Sequence, residues 1–193
     1  MELVIKSDWL YVFDDVLTPE ECEEIINLSE DNMKKSTTVG EEVEGYRTSW
    51  NTFLAKERKE EIILKTNLIT EVLTSLPIKN QEDICVVRYE KGEEYKEHFD
   101  WLVEDNSQEG KDELKRGGDR VFSVMFYLSE DFEEGGTLFL GPNIEVKPKT
   151  GRCVIWRNYL NGEPNRDSKH AGLPVKNGIK YIAVKWVRQN EFI

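Results

Sequence analysis

Apolar positions recur at helical spacing in the first part of the chain and alternate with polar ones after residue 83. Trp9-Leu10-Tyr11-Val12-Phe13 is a short aromatic and β-branched run closed by Asp14-Asp15, which predicts a first strand. A helix start follows: Thr18 can act as N-cap, Pro19 takes the first helical position and Glu21 completes a capping box. Cys22, Ile25, Ile26 and Met33 then recur at roughly helical spacing. The Ser-, Thr-, Gly- and Glu-rich stretch from Ser36 to Gly45 predicts a loop, and Tyr46 to Leu54 an extended segment. From Glu57 to Leu76, Ile62, Ile63, Ile69, Val72, Leu73 and Leu76 predict an amphipathic helix ended by Pro77. Strands are predicted near Ile84 to Tyr89, Tyr95 to Leu102, Val121 to Leu128, Thr137 to Leu140, Ile144 to Lys147, Arg152 to Trp156 and Ile179 to Val187. Two polar stretches, Glu104 to Asp119 and Arg157 to Lys169, interrupt them and read as lids or unordered loops. The class is therefore α+β and mainly β. So many short strands predict a closed or doubly layered architecture such as a jelly roll, with the two early helices buttressing one sheet.

Composition narrows the class. A chain of 193 residues fits one domain, residues 1–193, and 38% hydrophobic with 33% charged residues is a globular balance with no window apolar enough for a membrane span. The first residues lack the basic and apolar regions of a secretory signal, which predicts a cytoplasmic protein. Cys22, Cys85 and Cys153 are odd in number and set among apolar neighbours, which predicts buried reduced thiols. A net charge of −12 argues against a nucleic-acid partner, because phosphate binding draws on clustered Lys and Arg.

The candidate chemistry sits in Glu94 to Trp101. On an extended chain His98 and Asp100 share a face while Phe99 and Trp101 take the other. His-x-Asp occurs by chance in many proteins, but the only other histidine is His170, and two His with one carboxylate is the ligand set of non-haem Fe(II) oxygenases. Alternation also places Lys180, Ile182, Val184 and Trp186 on one strand face. A lysine there either pairs with an anion or belongs to an edge strand and reaches water.

These blocks, with Arg88-Tyr89, Gly92, Tyr95, Arg120 to Leu128, Glu134-Gly135-Gly136, Lys147-Pro148-Lys149, His170-Ala171-Gly172 and Gly178-Ile179-Lys180, resemble the Fe(II)- and 2-oxoglutarate-dependent dioxygenases of the prolyl 4-hydroxylase type. The similarity runs nearly end to end, from Val12 to Val187. It implies a double-stranded β-helix, jelly-roll and cupin-like, with the N-terminal helices on the larger sheet. It implies that His98, Asp100 and His170 hold Fe(II), that Lys180 pairs with the distal carboxylate of 2-oxoglutarate, and that Tyr89 hydrogen-bonds this cosubstrate. Arg120 and Trp186 resemble residues lining a peptide groove, and Arg47 with Ser49 a segment bordering it. One departure stands out: where the family often has Glu-Thr after the paired glycines, this chain reads Thr137-Leu138, so either Leu138 takes the inward place or the backbone adjusts to restore Thr137. The implied activity is O2-dependent hydroxylation of a peptidyl proline at C4 with release of succinate and CO2, L-ascorbate serving as reductant. Another side chain, free proline, or a non-catalytic cupin-like binding module are the competing readings. A nucleic-acid demethylase is disfavoured by the acidic balance and by lysine in place of arginine at the cosubstrate position.

Overall fold

The computed structural model describes residues 1–37, 45–102 and 107–193. The strands are, in order, β1 (Glu2–Lys6), β2 (Leu10–Asp14), β3 (Lys34–Lys35), β4 (Trp50–Leu54), β5 (Ile84–Tyr89), β6 (Tyr95–His98), β7 (Arg120–Tyr127) and β8 (Phe132–Glu134). There follow β9 (Thr137–Phe139), β10 (Ile144–Val146), β11 (Cys153–Arg157), β12 (Tyr159–Leu160), β13 (Glu163–Pro164), β14 (His170–Gly172), β15 (Val175–Gly178) and β16 (Lys180–Arg188). The helices are α1 (Pro19–Ser29), α2 (Glu61–Thr74) and α3 (Gln108–Lys115). An eight-stranded sheet in the order β1-β2-β11-β7-β16-β5-β4-β3 faces a four-stranded sheet, β10-β9-β14-β6, and β12-β13 and β15-β8 form two small ribbons.

Period-two patterning divides the core into two layers. Val87, Tyr89, Met125, Tyr127, Val154, Trp156, Ile182, Val184 and Trp186 project from the large sheet toward Phe139 and Val146 of the small one. The intervening residues Ile84, Val86, Val124, Phe126, Ile155 and Ala183 face Cys22 and Ile25 of α1 and Ile62 and Ile63 of α2. The double-stranded β-helix with helices on its larger sheet is thus the observed architecture. Cys22, Cys85 and Cys153 are buried and free. No described helix is long and apolar enough to cross a membrane.

Local signals place the first helix well. Thr18 Oγ1 accepts from the Glu21 amide at 3.3 Å and Glu21 Oε2 accepts from the Thr18 amide at 2.9 Å, the reciprocal capping box. Met33, expected on this helix, lies beyond its end. The expected helix from Glu57 to Leu76 is shorter, and its buried face is Ile62, Ile63, Thr66, Asn67, Thr70 and Thr74, leaving Val72 75% exposed. The reason lies across the interface: Lys185, which β16 turns toward this helix, donates to Asn67 Oδ1 at 2.6 Å, and a buried ammonium demands polar company.

Several expected segments differ. The exposed edge strand β1 carries no alternation and exists by pairing with β2. Within Tyr46 to Leu54 only Trp50–Leu54 is strand. The segment expected extended from Tyr95 to Leu102 leaves the sheet after His98. The loop expected at Ser36 to Gly45 lies largely outside the described residues, as do residues 103–106. The first polar interruption contains α3, capped by Ser107 Oγ accepting from the Gly110 amide at 2.9 Å. The second contains the β12-β13 hairpin, whose Asn161-Gly162 turn has φ of 52° and 85°, the left-handed pair that Asn-Gly adopts readily.

Candidate active site

Antiparallel pairing of β14 with β6 sets His170 directly opposite His98, and their ring centroids lie 4.2 Å apart. Beyond His98 a bend returns Asp100 to the same point, 3.7 Å from His98 Nε2 and 4.0 Å from His170 Nε2. One donor atom from each residue falls within 4.8 Å of the others. The bend is held by Asp119, whose Oδ1 accepts from the Leu102 amide at 2.7 Å and draws the chain out of the sheet. Phe99 and Trp101 therefore do not line an opposite strand face but sit together, ring centroids 4.4 Å apart.

Each imidazole is oriented through Nδ1, at 2.7 Å from the Lys96 carbonyl for His98 and 2.9 Å from the Ser168 carbonyl for His170. Donation from Nδ1–H leaves the Nε2 lone pair for a metal. Burial, reinforced by His170, pushes the His98 pKa down to about 3, so the ring is neutral and ready to ligate. Burial alone would raise the Asp100 pKa, but His170, His98, Arg120 and a hydrogen bond from Ser123 together hold it below the ordinary carboxyl range. Two imidazoles and one carboxylate converging from one side fit Fe(II), with the remaining positions free for cosubstrate and O2.

A narrow cavity of about 40 Å³ runs between the sheets, lined by the three ligands and by Tyr89, Thr137 and Lys180. Lys180 is 1% exposed, and burial, with no compensating anion among the described residues, lowers its pKa to about 7. Tyr89 stands opposite Lys180 in the β5-β16 register, its ring 4.7 Å from the ammonium. Burial pushes the Tyr89 phenol up to about 12, so it stays protonated and can donate. The open choice between Thr137 and Leu138 resolves toward Thr137, which is buried, lines the cavity and lies 2.7 Å from the Tyr127 hydroxyl through Oγ1. Glu134 and Gly135, both at positive φ (63° and 68°), reset the strand phase just before it. An unpaired buried cation flanked by hydroxyls and facing a metal triad fits a dicarboxylate that chelates metal at one end and ion-pairs at the other.

From His98 and Asp100 a wider groove of about 850 Å³ opens to the surface, walled by Tyr46, Tyr95, Phe99, Trp101, Trp186 and Phe192. Trp186 lines both spaces. Arg120 lines the groove as the resemblance implies and is held there by an acidic partner. Its Nε and Nη2 donate to Glu82 at 2.7 and 3.0 Å, and its guanidinium lies 3.8 Å from the centre of the Trp186 ring. Arg47 lies over Tyr95, which stacks on His98 with centroids 3.6 Å apart. Ser49 is fully buried and supports the groove only indirectly, accepting from Arg47 Nε at 3.3 Å.

Three supporting residues escape sequence reasoning. Ser123 Oγ donates to Asp100 Oδ2 at 2.5 Å, and Asn158 Nδ2 donates to Ser123 Oγ at 3.0 Å. Trp156 packs edge-on against His170, centroids 4.8 Å apart. Ser123 had one readable sign, a small hydroxyl residue two positions before Met125 on the inward face of the strand.

A jelly roll that gathers a His-x-Asp…His triad at one end of a cavity and a buried lysine along it defines a non-haem iron dioxygenase. The chain belongs to the 2OG-Fe(II) oxygenase superfamily, whose family model matches residues 84–188, from the start of β5 to the end of β16. It is 35% identical over 208 residues to prolyl 4-hydroxylase 1 of Arabidopsis thaliana, covering 97% of this chain and 71% of that protein. Prolyl 4-hydroxylase 2 of the same plant is 32% identical, covering 94% of this chain and 68% of the relative. The viral collagen prolyl hydroxylase vCPH of Paramecium bursaria Chlorella virus-1, solved as a 2OG complex, superposes with a TM-score of 0.72 at 28% identity, covering 94% of this chain and 97% of that one.

Proposed function

We propose that this chain, acting as one domain over residues 1–193, hydroxylates C4 of prolyl residues in peptides, consuming 2-oxoglutarate and O2 and releasing succinate and CO2. The observation that carries the reading is that two unlike spaces meet at His98 and Asp100. The narrow one contains an uncompensated lysine, which suits a small dicarboxylate, while the wide one is walled by aromatic rings and suits an extended peptide. The relatives support the choice of substrate, since proteins matching nearly the whole chain are prolyl 4-hydroxylases.

Fe(II), held by His98, Asp100 and His170, supplies O2 activation coupled to oxidative decarboxylation of 2-oxoglutarate, and with it the power to oxidise an unactivated C–H bond. The chain does the rest. Lys180 holds the distal carboxylate as an ammonium, Tyr89 and Thr137 offer hydroxyls beside it, and Val87, Met125, Ile182 and Val184 exclude water from the cavity. Tyr95 and Trp186 bound the place where a pyrrolidine ring can meet the metal face. A polyproline-like strand offers ring faces and carbonyls but few N–H groups, and aromatic walls complement it. L-ascorbate is the reductant we assign for turnovers that occur without peptide. The three buried free thiols suit a reducing, cytoplasmic setting.

Mass spectrometry of a peptide panel after turnover, with free proline included, tests the reading. Hydroxyproline inside a peptide, formed only with Fe(II) and 2-oxoglutarate, is the expected result; turnover of free proline alone would refute it.

A further inference from the structure

The wall of the groove beyond Trp186 is held by charge. Helix α3 buries only Gly110 of its eight residues, so apolar packing does not fix it. Its anchor is Arg188, a fully buried side chain at the end of β16. Arg188 Nη2 donates to Glu113 Oε2 at 2.8 Å, and its Nη1 donates to the carbonyls of Gly118 at 2.9 Å and Glu113 at 3.2 Å. The other edge of the same guanidinium donates from Nε to Glu82 Oε1, the oxygen that also receives Arg120 Nε. Glu113, Arg188, Glu82 and Arg120 thus alternate in sign along the groove and end on the face of Trp186.

The charges balance only as a set. Burial would raise the Glu82 pKa, but Arg120 and Arg188 together hold it below the ordinary range. Two guanidiniums share that one carboxylate, and Arg188 is kept from monopolising it by its second partner, Glu113. Arg116 also touches Glu113, through Oε1 at 3.0 Å, from the exposed side. If the Glu113 charge is lost, Arg188 remains buried and draws Glu82 toward itself. Arg120 then loses part of its two-point grip and its fixed plane over Trp186.

We infer that Glu113 is a positioning residue for the peptide: through Arg188 and Glu82 it fixes the Arg120 guanidinium on Trp186 and fastens α3 as a wall of the groove. This rests on the peptidyl-proline reading above, and it assigns to Glu113 and Arg188 a part in substrate choice that neither has by contact with the metal or the cosubstrate.

The test is a double-mutant cycle of Glu113→Gln and Arg120→Met in the full chain with Fe(II), assayed on a proline-rich peptide that the unmodified chain accepts. Glu113→Gln should raise the peptide KM by roughly 3- to 30-fold, the range of a weakened charge contact. The 2-oxoglutarate KM and the peptide-free decarboxylation should stay unchanged, and Glu113→Asp, which keeps the charge, should recover most of the affinity. In the Arg120→Met background Glu113→Gln should add nothing further. An unchanged peptide KM, or effects that multiply independently, overturns the inference. If no prolyl peptide is accepted, the functional reading fails by itself. The chain of ion pairs is then judged by urea unfolding of the same four proteins, where midpoint shifts that fail to add support it and additive shifts overturn it.

Discussion

Lys180 makes cosubstrate affinity depend on pH in a direction that can be worked out in advance. In the free protein, burial lowers its pKa to about 7. Only the ammonium form can pair with the distal carboxylate of 2-oxoglutarate, which is itself fully ionised near neutrality. Pairing favours the charged form and raises the pKa in the complex, so above pH 7 binding must take up a proton. Between the free and bound pKa values the apparent affinity then falls about tenfold, 1.36 kcal/mol, for each pH unit. Below pH 7 the lysine is already charged and the dependence flattens. The assay is the 2-oxoglutarate KM for succinate formation from pH 6.5 to pH 9, in the unmodified chain and in Lys180→Arg, whose guanidinium stays charged throughout. Lys180→Met should lose the pH dependence and bind the cosubstrate more weakly by roughly 2–5 kcal/mol, the cost of removing one partner of a desolvated charge pair. A KM that is flat between pH 7 and pH 9 in the unmodified chain, or an equal slope in Lys180→Arg, would show that Lys180 does not meet the cosubstrate.

Replacing His98 or His170 by Ala should abolish both turnover and stoichiometric Fe(II) binding, and metal retained by dialysed His170→Ala protein would refute the triad. Ser123→Ala removes the hydroxyl that orients Asp100 and should weaken Fe(II) binding by roughly 10–100-fold, measured by competition with a chelator, with the far-ultraviolet spectrum unchanged. Trp186→Ala should raise the peptide KM while sparing peptide-free decarboxylation; normal handling of proline-rich peptides would remove Trp186 from the groove. Lys185 is buried with its pKa lowered to about 7, so between pH 7 and roughly 10.4 the unfolded chain binds more protons than the folded one and this residue makes stability rise with pH. Lys185→Met should flatten that slope and stabilise the fold near pH 7 by roughly 1–4 kcal/mol in chemical denaturation, and a loss of stability would mean that the Asn67 contact outweighs the cost of burial.

What the sequence determined by itself was everything that depends on near neighbours along the chain. The capping box at Thr18 and Glu21, the change to period two after residue 83, and the shared face of Lys180 and Trp186 are local consequences of backbone geometry, and each is where the pattern put it. The metal ligands were legible because two histidines leave no alternative partner for His98-x-Asp100. The Asn161-Gly162 turn is equally local, and it forms a hairpin within the polar stretch from Arg157 to Lys169. What only the tertiary structure decided depends on pairing between distant segments. The polar buried face of α2 answers Lys185 across an interface, and Arg120 is fixed at two points by Glu82. Asp100 reaches the histidines through a bend tied to Asp119, and Thr137 regains the inward side through two left-handed residues that precede it. In each case the deciding partner is remote in sequence, and its position is set by sheet register and loop closure, which alternation along one strand does not encode.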